Sequence, residues 1–209
     1  MSNAQNPSRF TAPLQVVLML VIVIATIVAG FVMMPSNKEE EASLLGRLGT
    51  TNHGTLLIPV RDIAQLQLLD ESGNPWRWDE HKAKWRMLIP SGSRCEQECQ
   101  ELLYVTRQTH LLLGKNTGRF ERIYLNLDAT IDPQTSEYFE KEQPYLKILN
   151  TDSAGFGRWL ADSNLSWQEG TMVAVLVDPA GQAMMFYTPG QPGTHLLEDL
   201  SHLLRYSAD

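Results

Sequence analysis

Polar and apolar positions divide this chain into two unequal stretches. From residue 14 to residue 34 every position is apolar except Gln15 and Thr26, and none is charged. At about 1.5 Å of rise per residue such a run just crosses a bilayer core of about 30 Å, which predicts one transmembrane helix over 14–34. A cleaved secretory leader has an apolar region of only about 7–15 residues, so an uncleaved anchor is expected, although Ala29 and Gly30 would suit a cleavage site. Beyond residue 50 the pattern shortens. Segments 66–69 and 76–78 flank a turn-forming run, 70–75, and predict a hairpin. Segments 84–89, 120–127 and 172–177 read as strands, and 183–187 returns from the last of them through Asp178, Pro179, Ala180 and Gly181. Leu102, Leu103, Val105, Leu112 and Leu113 fit one helical face and predict a helix from the cysteines to about Gly114. Two more helices are expected, over 136–146 and, amphipathic, over 195–206.

These elements organise the 209 residues into a tail (1–13), a membrane anchor (14–34), a polar linker (35–50) and one domain (51–209) large enough for a single good core. The formal net charge is −7 and the isoelectric point near 5.2. Arg9, Lys38 and Arg47 balance Glu39, Glu40 and Glu41, so the excess acid lies in the domain. That charge argues against nucleic acid and anionic membrane surfaces as partners. Basic residues on the two sides of the anchor are nearly equal and orient it poorly. The short tail and the paired cysteines instead place the large domain outside the cytoplasm, in the periplasm for a bacterial protein.

Cys95 and Cys99 are the only cysteines. One helical turn apart, they point to one side of a nascent helix, where they can close a disulfide or grip a soft ion such as Cu(I). A closed zinc site would need histidines at finger-like spacing, and there are none. The three-residue interval also departs from the two-residue interval of dithiol oxidoreductases. Two readings of the pair stay open: a static bridge between turn and helix, or a reactive pair. The tiny loop favours the reactive pair, since closing it stabilises little by chain entropy. Arg94 and the helix N-terminus favour thiolate; Glu96 and Glu98 oppose it and favour an incoming cation.

The element order (strand, helix, strand, helix, hairpin, helix) is that of an α/β thioredoxin-like domain with an added N-terminal β-hairpin, preceded by the single transmembrane helix. Within it, Leu66, Leu68, Leu69, Asp70 and Gly73 make a Leu-x-Leu-Leu-Asp-x-x-Gly opening. The cysteines follow the first core strand, Leu127 and Asp128 precede Asp132 by the right interval, and the run Val175 to Gly181 forms an Asp-Pro-x-Gly hairpin. In these features the chain resembles the Sco/SenC family, membrane-anchored thioredoxin-fold proteins that help build the copper centre of cytochrome c oxidase. The resemblance implies an accessory protein in the bacterial inner membrane, its partner an oxidase subunit or another assembly factor. It implies thiol–disulfide exchange or Cu(I) handling by Cys95 and Cys99, with copper as the cofactor. The alternative is a non-catalytic scaffold whose disulfide is structural.

Two departures stand out. Glu96 replaces the family's proline after the first cysteine. The family's copper-binding histidine, expected shortly before the last hairpin, is absent from 163–170, and Gly170 falls about where it should be. His81, in a polar segment before the core strand, is the remaining candidate nitrogen ligand. His110 lies about 16 Å along the helix axis from Cys99, too far to share a metal. His195 and His202 are expected on the wet face of the last helix, opposite Leu196, Leu200 and Leu203, and His53 in the linker. Asp128 and Asp132 fit turns and caps better than acid/base roles, and Trp76, Trp78 and Trp85 fit packing. No phosphate loop, G-x-S-x-G elbow or H-E-x-x-H pair occurs.

Overall fold

A computed structural model of the chain describes residues 11–33 and 52–207. The tail up to residue 10 and the linker over 35–50 lie outside the described residues. The chain divides into two units, Met1–Leu48 and Gly49–Asp209. In the first, α1 (Thr11–Met33) begins three residues before the apolar run. Its stretch Leu14–Phe31 has a mean hydropathy of 2.8 and buries nothing. A helix so long and apolar, exposed on all sides, fits a single-pass membrane anchor.

The second unit is one mixed sheet of six strands, in the order β1 (Thr55–Asp62), β6 (Gln182–Tyr187), β5 (Ala174–Val177), β2 (Trp85–Ser91), β3 (Phe120–Asn126), β4 (Leu146–Asn150). The pairs β2–β3 and β3–β4 are parallel, with Trp85 opposite Phe120 and Ser91 opposite Asn126; the other neighbours are antiparallel. Parallel neighbours need long crossovers. Helices supply them: α2 (Gln97–Leu112) joins β2 to β3, and α3 (Pro133–Glu142) joins β3 to β4. After α4 (Ser153–Leu160), a loop reaches β5, and α5 (Gly193–Tyr206) follows β6.

Every residue from Trp85 to Pro90 is buried because β2 is covered on both faces. Leu88, Ile123, Leu125 and Val175 face one core with Phe156 and Trp159 of α4. Met87, Ile89, Tyr124 and Leu176 face the other, with both cysteines, Leu103 of α2, Phe139 of α3 and Leu200 of α5. Each Leu or Ile buried in this way is worth about 2 kcal/mol. Strand alternation thus sends successive residues to different cores, and the cysteines belong to the α2–α5 side.

The predicted 66–78 hairpin is reduced to a single bridge, Leu69 to Pro75. Its turn forms as read, with Asp70 accepting from the Ser72 and Asn74 N–H groups. The arms do not extend into strands because Pro75 cannot donate to a ladder and both tryptophans serve elsewhere. The guanidinium of Arg86 lies 5.4 Å from the ring centre of Trp76 and 4.3 Å from that of Trp78, and its Nε meets Glu121 at 2.8 Å. Leu69 instead exchanges backbone hydrogen bonds with Asn150 at the end of β4. Three elements had no forecast: β1, whose only fully buried side chain is Leu57; β4, five residues long; and α4, which contains Gly155 and Gly157. Helix α3 stops at Glu142 rather than near 146, since Pro144 disfavours helix at the residue before it.

Candidate functional site

Cys95 and Cys99 are joined in a disulfide, their Cα atoms 5.1 Å apart. Of the two states the spacing permits, this is the one seen. The loop from the end of β2 to α2 is held at nearly every residue. Tyr124 Oη donates to Gly92 O at 2.6 Å; burial first, and the nearby Asp128 charge after it, push that phenol up to about 12, so it stays a donor. Asp128 accepts from Ser93 N, and a Cβ at Gly92 would come within 2.8 Å of that carboxylate, which explains the glycine. Asp132 N donates to Ser93 O at 3.0 Å. Cys95 N donates to Thr135 Oγ1 at 3.2 Å, and Gln100 Nε2 to Cys95 O at 2.9 Å.

Helix α2 begins two residues after Cys95, with Glu96 as its N-cap residue in extended backbone and Cys99 in its first turn. The positive end of the helix therefore lies at the sulfurs and favours negative charge there. Both cysteines are buried, Cys95 at 5% exposure and Cys99 at 2%. Each borders a cleft of its own. Cys99 lines one of about 440 Å³ with Arg94, Glu98, Asp128, Trp167 and Gly170. Cys95 lines another of about 400 Å³ with Asp132, Thr135 and Tyr138.

The remaining candidates fall elsewhere. His81 stacks on Trp76, ring centres 4.5 Å apart, against the core on the opposite face of the sheet, and lines neither sulfur cleft. His110 is buried, with Nε2 3.1 Å from Thr117 O, and burial holds its imidazole below the usual range. His53 belongs to the folded domain, not to a linker: it stacks on His195 at 4.1 Å and its Nε2 lies 2.9 Å from Glu198 Oε2. His202 packs against Tyr206. Asp132 caps α3 by accepting from Gln134 N at 3.0 Å. Among the described residues no three His, Cys, Asp or Glu side chains gather to hold a metal, and joined sulfurs offer no thiolate. The site as it stands does not fit copper.

Thr135, Gln100, Gly92 and Tyr124 escaped the sequence reading. Only the right interval from Asp128 to Asp132 hinted that the β3–α3 turn would reach the cysteine loop.

Residues 85–207 match the family described as the transmembrane-like, thioredoxin-like, C-terminal domain, and the chain belongs to that family. No curated protein matches it in sequence. Solved structures share its fold. Copper-bound ScoI of Arabidopsis thaliana aligns with a TM-score of 0.54 and 17% identity over 68% of this chain and 97% of its own. The apo Sco protein of Thermus thermophilus aligns at 0.55 and 18%, over 73% and 97%. BsSco, described as having a disulfide switch and as a member of the Sco family of cytochrome c oxidase assembly proteins, aligns at 0.54 and 13%, over 71% and 96%. The fold is Sco-like and thioredoxin-like, as the motifs implied.

Proposed function

We propose that this protein is a single-pass accessory factor of cytochrome c oxidase assembly, anchored in the bacterial inner membrane with its domain in the periplasm. It acts by thiol–disulfide exchange at Cys95 and Cys99. The observation that carries this reading is the closed disulfide at the N-terminus of α2, each sulfur residue opening on a cleft, in a domain with the fold of the Sco proteins. BsSco, which shares this fold, is described as having a disulfide switch. Exchange needs a thiolate, and the positive end of α2 with Arg94 beside it supplies a setting that favours one. In the reduced protein one cysteine attacks a disulfide of the partner, and the other resolves the mixed disulfide. Copper delivery is not part of the proposal, because the described residues offer no third ligand.

A second reading, a scaffold with a structural bridge, is favoured by the burial of both sulfurs. The test is the Cys95→Ser/Cys99→Ser double variant in a strain lacking the native protein. Loss of oxidase activity with a folded domain supports exchange; full activity supports the scaffold.

A further inference from the structure

We infer that Thr135 is a positioning residue for the sulfur of Cys95: when the disulfide opens, its hydroxyl donates a hydrogen bond to the Cys95 thiolate. The inference rests on the exchange reading. In the closed state Thr135 Oγ1 accepts the Cys95 N–H at 3.2 Å, which fixes the hydroxyl oxygen against the residue that carries the sulfur. Thr135 is only 6% exposed and lines the same cleft as Cys95. Its hydroxyl uses one lone pair for this bond, and its own hydrogen has no acceptor among the described residues.

A disulfide sulfur is a weak acceptor. A thiolate is a strong one, and a hydrogen bond to a charged group is about twice as strong as a neutral one. Thr135 is the third residue of α3, placed there by Asp132 as cap and Pro133 as first helical residue. The N-terminal ends of α2 and α3 both lie at the Cys95 loop, and the Thr135 hydroxyl meets the Cys95 backbone from α3.

The step balances within the two partners. The Cys95 thiolate attacks one sulfur of the partner disulfide. A new S–S bond forms, the old one breaks, and its electron pair leaves on the partner's second sulfur, which takes a proton from water. Cys99, having lost its proton to water, then attacks Cys95 Sγ, and the partner's first sulfur departs as thiolate. Two electrons pass from the cysteine pair to the partner, and no further oxidant enters. Thr135 stabilises the reduced state from which this begins.

The test equilibrates the full-length protein in detergent with glutathione buffers of graded redox poise and counts free thiols. Thr135→Val, close in shape but without the hydroxyl, should shift the equilibrium toward the disulfide by about tenfold, the size of a modest hydrogen bond to a charged group. Thr135→Ser, which keeps the hydroxyl, should stay within about twofold of wild type on the same reasoning. Loss of the Cys95 N–H bond weakens both redox states alike and does not move this readout. Thr135→Ala replaces the valine variant if circular dichroism shows the latter unfolded. A hydroxyl-free variant that matches wild type, or a serine variant that shifts as far as valine, overturns the inference. The measurement involves no oxidase, so its failure is distinct from that of the functional reading, which falls if the cysteine-free protein still supports the oxidase.

Discussion

Cys99 and Gly170 line the same cleft. Gly170 has φ of +87°, and a Cβ built there would meet no atom within 4 Å. The position where the Sco resemblance expects a copper-binding histidine thus lies on the wall of the Cys99 cleft and carries no side chain.

Gly170→His should therefore supply a nitrogen ligand. The reduced wild-type domain is expected to take Cu(I) through two sulfurs and to hold Cu(II) poorly, while the variant should hold Cu(II) with nitrogen ligation visible by electron paramagnetic resonance. The left-handed backbone makes the substitution cost about 1–2 kcal/mol in thermal stability. An unchanged spectrum would show that the 163–172 loop does not present position 170 to the sulfurs.

Opening the disulfide should do little to the fold. The bridge spans a sequence separation of 4, and by chain entropy so short a loop contributes roughly 2 kcal/mol. The double serine variant should lose about that much by denaturant unfolding. A loss near 5 kcal/mol, the upper end for disulfides, would instead mark the bridge as a structural staple.

Acid stability should depend on Arg86. Burial pushes the Glu121 carboxyl up, but the hydrogen bond and charge of Arg86, with Lys84 and Lys147, outweigh it and leave it below the usual carboxylate range. A depressed carboxylate stabilises the fold above its unfolded pKa, and that contribution disappears as pH falls through the folded value. Arg86→Met should cost about 3 kcal/mol near neutral pH, because it removes the hydrogen-bonded partner of Glu121, leaving only Lys84 and Lys147 near it, and takes the cation from Trp76 and Trp78. Its unfolding curve should lose the part of the acid dependence that comes from this pair. Equal pH profiles for wild type and variant would assign the acid dependence to other groups.

Orientation is open to a direct test. A compartment-sensitive reporter fused after Asp209 should be active only on the periplasmic side. Cytoplasmic activity would remove the oxidising setting that exchange requires.

The long apolar helix, the core strands β2, β3, β5 and β6, and the cysteine pair were legible in the chain because each rests on local physics. A long uncharged apolar run fits a helix that crosses a membrane, a strand buried on both faces reads as a continuous apolar run, and two cysteines a turn apart share a side of their helix. What tertiary structure decided rests on groups distant in sequence. Leu57 is the one fully buried side chain of β1, so that strand exists by pairing with β6. Helix α4 is held by the Asp152 cap and by Phe156, Trp159 and Leu160 against the sheet, despite its glycines. Trp76 and Trp78 left the forecast hairpin because Arg86, buried on β2, required cover. Thr135 reaches Cys95 across 40 positions because parallel β3 returns the chain alongside the cysteine loop, and Gly170 shares a cleft with Cys99 because β5, antiparallel to β2, begins beside the end of β2. Periodicity in a sequence reports which face of an element is buried; it carries no information on which distant residue will complete that face.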